Sequence, residues 1–338
     1  MKLHIFNPEH DIALAANQSR FTAPHAGRQL RADLGFLPAL WADDGDMVLV
    51  DDVEAALEWV RHVKRYAHDV AFVTPGDLKH ISADMLHDLQ IAPWGWDRTI
   101  KEQLLRAAPS LEPVLPSDER LASIRDMSSR RFAAERLLPL LHDANPGVVG
   151  ESRYCATEDE ALRAMQQYGR SVVKSPWSSS GRGVRYVAQP APDNHLLGWM
   201  RGVLRQQGGI MIEPLYNKVY DFGMEFVANA DGTIGYLGLS LFDTRGGAYT
   251  ASICATEADK REMLSRYVDM QLLDSICLQI RQTVAPLMNG VYSGPFGVDM
   301  MAVARSEGEG FWLHPCVELN LRRTMGHVAL ALTPTIHE

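Results

Sequence analysis

Gly297-Val298-Asp299 and, nineteen residues beyond that aspartate, Glu318-Leu319-Asn320-Leu321-Arg322 are the two stretches on which the fold turns. In a β-strand successive side chains point to opposite faces, so Glu318, Asn320 and Arg322 share one face while Val317, Leu319 and Leu321 pack on the other. Asp299 interrupts an otherwise apolar run, Phe296–Val303. An unpaired buried carboxylate is costly, so it must be exposed, paired or bound to a metal. The spacing suits two adjacent antiparallel strands joined by the polar turn 305–310, which would bring Asp299 beside Glu318 and Asn320. Two carboxylates and an amide are the oxygen donors Mg²⁺ accepts. Arg322 could hold a phosphate oxygen or a developing negative charge. An edge strand with a solvated polar face is the competing reading.

Upstream, Ser171-Val-Val-Lys174 reads as a strand that delivers a lysine into the loop Ser175-Pro-Trp-Ser-Ser-Ser-Gly181-Arg-Gly183. Small residues let backbone N–H groups approach phosphate oxygens, and a strand lysine adds a point charge. A β-hairpin with a polar loop explains the same residues equally well. No G-x-x-x-x-G-K-[ST] occurs, so this is not a Walker A loop. A third stretch, Ile210-Met-Ile-Glu213-Pro-Leu215-Tyr-Asn-Lys218-Val-Tyr-Asp221, is an apolar strand ending in glutamate and proline before a second strand. Such a hinge could present backbone groups to a purine edge and Asp221 to ribose hydroxyls; a plain hairpin is the alternative.

The first third alternates short apolar runs (Leu3–Phe6, Met47–Val50, Val70–Val73) with a helical stretch, Val53–Tyr66. That alternation predicts a mostly parallel sheet with helices on its faces and ligand-bearing loops after its strands. The loop Asn7–Asp11 is dense in polar groups; a hydrogen-bonded turn is the simpler reading. His25, Arg28 and Arg31 read as a helix surface. Prolines in Pro109–Ser128 suggest a connector and a boundary near residue 120. Beyond it, helices are predicted at Ser129–Leu141, from the capping box at Thr157 to Gly169, at Asn194–Gln207 and at 257–287. Strands are predicted at Ile210–Glu213, Val219–Ala228, Thr233–Leu241, Phe296–Val303 and Phe311–Leu321. Arg245 could grip a substrate carboxylate or lie in a solvated loop.

The 338 residues, 46% hydrophobic, suit two or three domains with sizeable cores. A formal charge of −9 argues against nucleic acid or an anionic membrane as partner. Four scattered cysteines without a C-x-x-C pair read as reduced thiols. The N-terminal stretch lacks a signal-peptide layout and no long apolar run occurs, so the expected location is cytoplasmic.

In order and spacing these pieces resemble the ATP-grasp superfamily over roughly residues 120–335. The resemblance implies an α/β and α+β chain: a Rossmann-like pre-ATP-grasp domain (1–120), then two α+β subdomains clamping ATP, 121–209 with the glycine-rich loop and 210–338 with the adenine hinge and metal site. It implies Lys174 on the α/β-phosphates, Ser178–Gly183 (Ser179, Ser180, Gly181 and Gly183 among them) closing over them, Glu213 and Leu215 at adenine and Asp221 at ribose. Asp299, Glu318 and Asn320 would hold one or two Mg²⁺, with Mn²⁺ as a substitute, and Arg322 would steady the transferred phosphate. Where the family usually has an earlier lysine stands Ser129-Arg130-Arg131, with Arg130 the preferred replacement. The implied activity is an ADP-forming ligase that makes an acyl phosphate for attack by an amine. A small-molecule kinase and a non-catalytic nucleotide-binding module are the alternatives. The implied partners are ATP, a small carboxylate and a nucleophile, with a homodimer compatible.

Overall fold

A computed structural model describes residues 1–178, 181–189, 192–245 and 248–333. The chain divides into two compact units. The first is Met1–Arg125 together with Arg322–Thr324; the second is Asp126–Leu321 and the residues from Met325.

The first unit is built on four parallel strands, β1 (Lys2–Ile5), β2 (Met47–Leu49), β3 (Ala71–Val73) and β4 (Gln90–Pro93), in the order β3-β2-β1-β4. Both faces are covered, as a parallel sheet requires. Leu3, Ile5 and Met47 pack with Ile100 and Leu104 of the helix Arg98–Ala107. Val48 and Val50 pack with Phe36 and with Ala56 of the helix Val53–Val63. Asp97 and Asp52 start these two helices by accepting from the Ile100 and Ala55 N–H groups, satisfying otherwise orphaned donors.

The second unit has two antiparallel sheets. The smaller contains β5 (Arg153–Cys155), β6 (Ser171–Lys174), β7 (Val184–Val187) and β8 (Ile210–Pro214), ordered β5-β8-β6-β7. Ala161 and Met165 of the helix Glu158–Tyr168 and Met200 of the helix Asn194–Gln207 pack on Val173, Ile210 and Ile212. The larger sheet contains β9 (Lys218–Ala228), β10 (Ile234–Arg245), β11 (Ala248–Ser252), β12 (Gly294–Ala304) and β13 (Phe311–Asn320), ordered β11-β10-β9-β12-β13. Its core includes Phe226, fully buried and stacked on Phe296 at 5.2 Å between ring centroids.

Several local expectations are corrected. Pro109–Ser128 is mostly helical rather than a connector: a 3-10 turn over Pro109–Val114 leads into the helix Asp118–Met127. The helix predicted over Ser129–Leu141 runs on to Asp143 past Pro139, with a wider π turn over Ala133–Leu137 just before it. Proline has no N–H to give and crowds the carbonyl four residues back, and the π turn absorbs that mismatch. The stretch 257–287 is two helices, Glu257–Leu264 and Met270–Met288; Asp269 caps the second by accepting from the Gln271 and Leu272 N–H groups. Strands β4, β5 and β11 are additional. Among the described residues no helix is long and apolar enough to cross a membrane.

Because Phe226 joins β9 to β12, the strand that carries Asp299, truncating it tests what supports that carboxylate. Phe226→Ala should lower the unfolding free energy by about 3–5 kcal/mol, read from chemical denaturation followed by circular dichroism.

Candidate nucleotide and metal site

Asp299 and Glu318 stand directly opposite one another across the β12–β13 pair, neighbours as the nineteen-residue spacing predicts, with a register shift between Asp299 and Met301 bringing them face to face. Asn320, opposite Gly297, donates through its side-chain amide to Asp299 Oδ2 at 3.0 Å. Like charges opposite one another repel, so this pair needs compensation. Part of it comes from Arg130, whose Nη2 donates to Glu318 Oε2 at 2.9 Å.

Arg130 is buried, and the same guanidinium fastens the glycine loop. Its Nη1 donates to the Ser175 carbonyl and to Ser178 Oγ, both at 2.7 Å, and its backbone N–H donates to the Pro176 carbonyl. Its Nε–H, by contrast, is buried with no acceptor among the described residues. Arg131 faces elsewhere, paired with Glu135 and lying over the Tyr154 ring. Gln207 holds the loop from the other side, accepting from the Trp177 N–H and donating to its carbonyl. Glycine is required at both loop positions for different reasons. Gly181 has φ +70°, in the region L side chains avoid. A Cβ on Gly183 would lie 2.2 Å from Ser178 Oγ. Ser179 and Ser180, expected in this loop, lie outside the described residues, as do Gly246 and Gly247 beside Arg245.

Lys174 is also buried, with Nζ 2.5 Å from Glu213 Oε2; Glu213 Oε1 accepts from Ser152 Oγ at 3.0 Å. Thus Glu213, expected at adenine, holds the lysine in the smaller sheet. The Leu215 N–H donates to the Arg170 carbonyl. Asp221 accepts from Lys218 and, at 2.7 Å, from Thr244 Oγ1. Arg322, expected at a phosphate, is placed in the first unit. There its Nε donates to both Asp11 oxygens at 3.0 Å, and its Nη2 lies 2.9 Å from Asp11 Oδ2. The rest of the Asn7–Asp11 loop is similarly wired: Asn7 donates to the Gly95 carbonyl and His10 bonds Asp97.

His314 is the residue that sequence reasoning passed over. It lies on β13, fully buried, with neither ring nitrogen partnered among the described residues and its ring edge-on to Tyr216 at 5.7 Å. Its signal was one basic side chain in the apolar run Phe311–Val317. Gly150 permits the approach, since a Cβ there would lie 2.9 Å from His314 Nε2. Burial pushes the imidazole pKa down to about 4, opposed by nearby Glu213 and reinforced by Lys174.

Among the described residues no three His, Cys, Asp or Glu side chains gather as a ready-made metal cage. The donor set is instead two carboxylates and an amide, all hard oxygens. That set suits Mg²⁺ sharing its coordination with phosphate oxygens rather than zinc or another thiolate- or imidazole-seeking ion.

No protein-family model matches the sequence. No curated protein matches it. Solved structures do. A biotin carboxylase–beta-gamma-ATP complex from Campylobacter jejuni superposes with TM-score 0.52 over 98% of this chain and 67% of that one, at 13% identity. The biotin carboxylase domain dimer of Hydrogenobacter thermophilus 2-oxoglutarate carboxylase, solved with MgADP, ADP and bicarbonate, matches with TM-score 0.50 over 98% and 68%, at 14% identity. An ADP complex of N5-carboxyaminoimidazole ribonucleotide synthetase matches with TM-score 0.49 over 96% and 70%, at 13% identity.

The neutral buried His314 gives the protein a pH signature. Its folded pKa lies below the usual histidine value, so its contribution is complete above about pH 6.5 and is lost as pH falls from there towards 4. The loss is on the order of 3 kcal/mol. His314→Phe should flatten the stability–pH curve in that window, and parallel curves for the two proteins would refute the assignment.

Proposed function

We propose, taking as premise the ATP-grasp fold that the chain shares with these enzymes, that the second unit binds Mg²⁺-ATP and activates a carboxylate. The γ-phosphoryl group passes from ATP to a carboxylate oxygen, releasing ADP. An amine then attacks the acyl carbon and expels phosphate, leaving an amide. The observation that carries this reading is Arg130, bonded at once to the glycine loop and to Glu318 opposite Asp299. It joins two motifs far apart in sequence into one polar site.

In this reading Asp299, Glu318 and Asn320 supply the oxygens for Mg²⁺, which when bound would neutralise phosphate charge. Lys174, held by Glu213, meets the phosphates as a point charge fixed in advance. The loop 178–183, with Ser179, Ser180, Gly181 and Gly183, offers backbone N–H groups and shields the reactive acyl phosphate from water. Arg130 adds charge beneath that loop. The hinge at Glu213–Leu215 lies along the base and Asp221 near the ribose. Binding and orientation then carry the catalysis, as phosphoryl transfer demands little covalent work from the protein.

One observation favours a second reading. Arg130 spends its Nη groups on Ser175, Ser178 and Glu318, where a lysine would keep one compact mobile charge. A site tied down in this way suits a nucleotide-binding module that does not transfer phosphate.

ADP release across a panel of carboxylates and amines separates the two readings. Asp299→Asn with Glu318→Gln should lower ADP release at least about 100-fold, the scale of lost transition-state charge stabilisation. An unchanged unfolding midpoint would show the fold intact. Full turnover in the double variant would defeat the metal assignment, and ATP binding without ADP release on any panel member would favour the module. Lys174→Ala should weaken calorimetric Mg²⁺-ATP affinity about tenfold or more; unchanged affinity would remove Lys174 from the phosphates.

A further inference from the structure

We infer that the first unit holds a binding site of its own, for a small molecule carrying both an anionic group and a protonated amine. A cavity of about 520 Å³ opens within this unit at the carboxyl ends of β1, β2 and β3, where Glu9, Asp51 and Pro75 follow the strands. Parallel sheets characteristically bind ligands at that edge, and the volume suits a small metabolite.

The walls carry four guanidinium groups, on Arg20, Arg28, Arg31 and Arg106. Arg20 and Arg106 share one carboxylate, Glu102. Arg31 bridges Glu9 Oε1 and Gln103 Oε1, each at 2.9 Å. The guanidinium of Arg28, exposed on the helix His25–Leu34, has no hydrogen bond or ion pair with the described residues. The lining therefore presents more positive than negative charge, with one guanidinium uncommitted. Such forks match carboxylate and phosphate groups.

The second half of the signature is Glu9. It is only 8% exposed, and its Oε2 is buried without a donor among the described residues. An unmet buried carboxylate oxygen is costly and calls for a donor. An anionic amine answers both features: its acid group meets the arginines and its ammonium meets Glu9. Arg28 and Arg31, which read in the sequence as an ordinary helix surface, become the basic wall of this cavity.

The test is isothermal titration calorimetry on the full chain without nucleotide, so its outcome is independent of the second unit's proposed activity. The probes are L-aspartate and O-phospho-L-serine, their hydroxyl counterparts L-malate and 3-phosphoglycerate, and inorganic phosphate. At least one amine probe should bind with Kd below about 1 mM, and its hydroxyl counterpart at least about fivefold more weakly. Arg28→Ala, a surface change that leaves the fold alone, should weaken the amine probe at least about fivefold. Glu9→Gln should erase the preference for amine over hydroxyl; if that variant fails to fold by thermal denaturation, the Arg28 result and the probe ranking decide. The inference is overturned if no probe binds below about 10 mM. It is overturned equally if Arg28→Ala binds as tightly as the parent, or if inorganic phosphate matches the amines.

Discussion

The guanidinium of Arg130 is the contact on which the second unit's polar centre depends. A buried cation is tolerated only when its charge and hydrogen-bonding groups are answered. Here the Nη groups are answered from two places in the chain, the Ser175 carbonyl and Ser178 hydroxyl of one loop and the Glu318 carboxylate, while the Nε–H stays without an acceptor among the described residues. The smaller sheet's loop and the larger sheet's edge strand are thereby tied to the start of one helix. Lys174 and Glu213 form a second buried pair within the smaller sheet, and His314 lies in the electrostatic reach of both. Removing one member of such a set leaves the others buried and unpaired, a larger penalty than the pair's own stabilisation. These charges therefore gain little for stability on their own account.

The first unit shows the same economy in a different form. Asn7, His10 and Asp11 each spend their polar groups on distant backbone or side chains, namely Gly95, Asp97 and Arg322. The sequence reading of this loop as a hydrogen-bonded turn holds for its backbone, where the His10 N–H donates to the Asn7 carbonyl, while its side chains reach long-range partners. Glu9 differs from them in leaving one oxygen unanswered. Within one loop the structure separates polar groups committed to the fold from one that is not.

What was legible in the sequence was the short-range physics. Alternation within Val317–Arg322 and the spacing back to Asp299 pointed to neighbouring carboxylates, but the register running out from the turn would face Asp299 with Cys316; an irregularity between Asp299 and Met301, which the sequence did not reveal, sets it opposite Glu318. The Thr157 cap, with its hydroxyl accepting from the Glu160 N–H, was equally local. Partners set by tertiary packing were not legible. Neighbouring Arg130 and Arg131 carry the same charge, and only the face each presents decides which is buried. The pairs Lys174–Glu213 and Arg322–Asp11 join residues distant in sequence. Strand β4 was missed because it ends in Pro93, which a central strand would not tolerate; it lies at the sheet edge, where proline is admitted.

These differences bear on how function is read from such a chain. At 13% identity the likeness to a biotin carboxylase is one of fold, and fold alone does not select chemistry. The selection rests on side chains that the fold positions but does not specify. A guanidinium replaces the lysine that the family resemblance leads one to expect. It differs in what it can do: several of its donors are fixed by protein acceptors in advance, so the loop it anchors is held before any phosphate arrives. A preorganised loop gives up less freedom on binding and gains affinity, whereas a lysine free to follow the phosphoryl group favours transfer. Under the proposed function, the choice between phosphoryl transfer and nucleotide binding alone thus turns on a single buried side chain, whose geometry is as consequential as its charge.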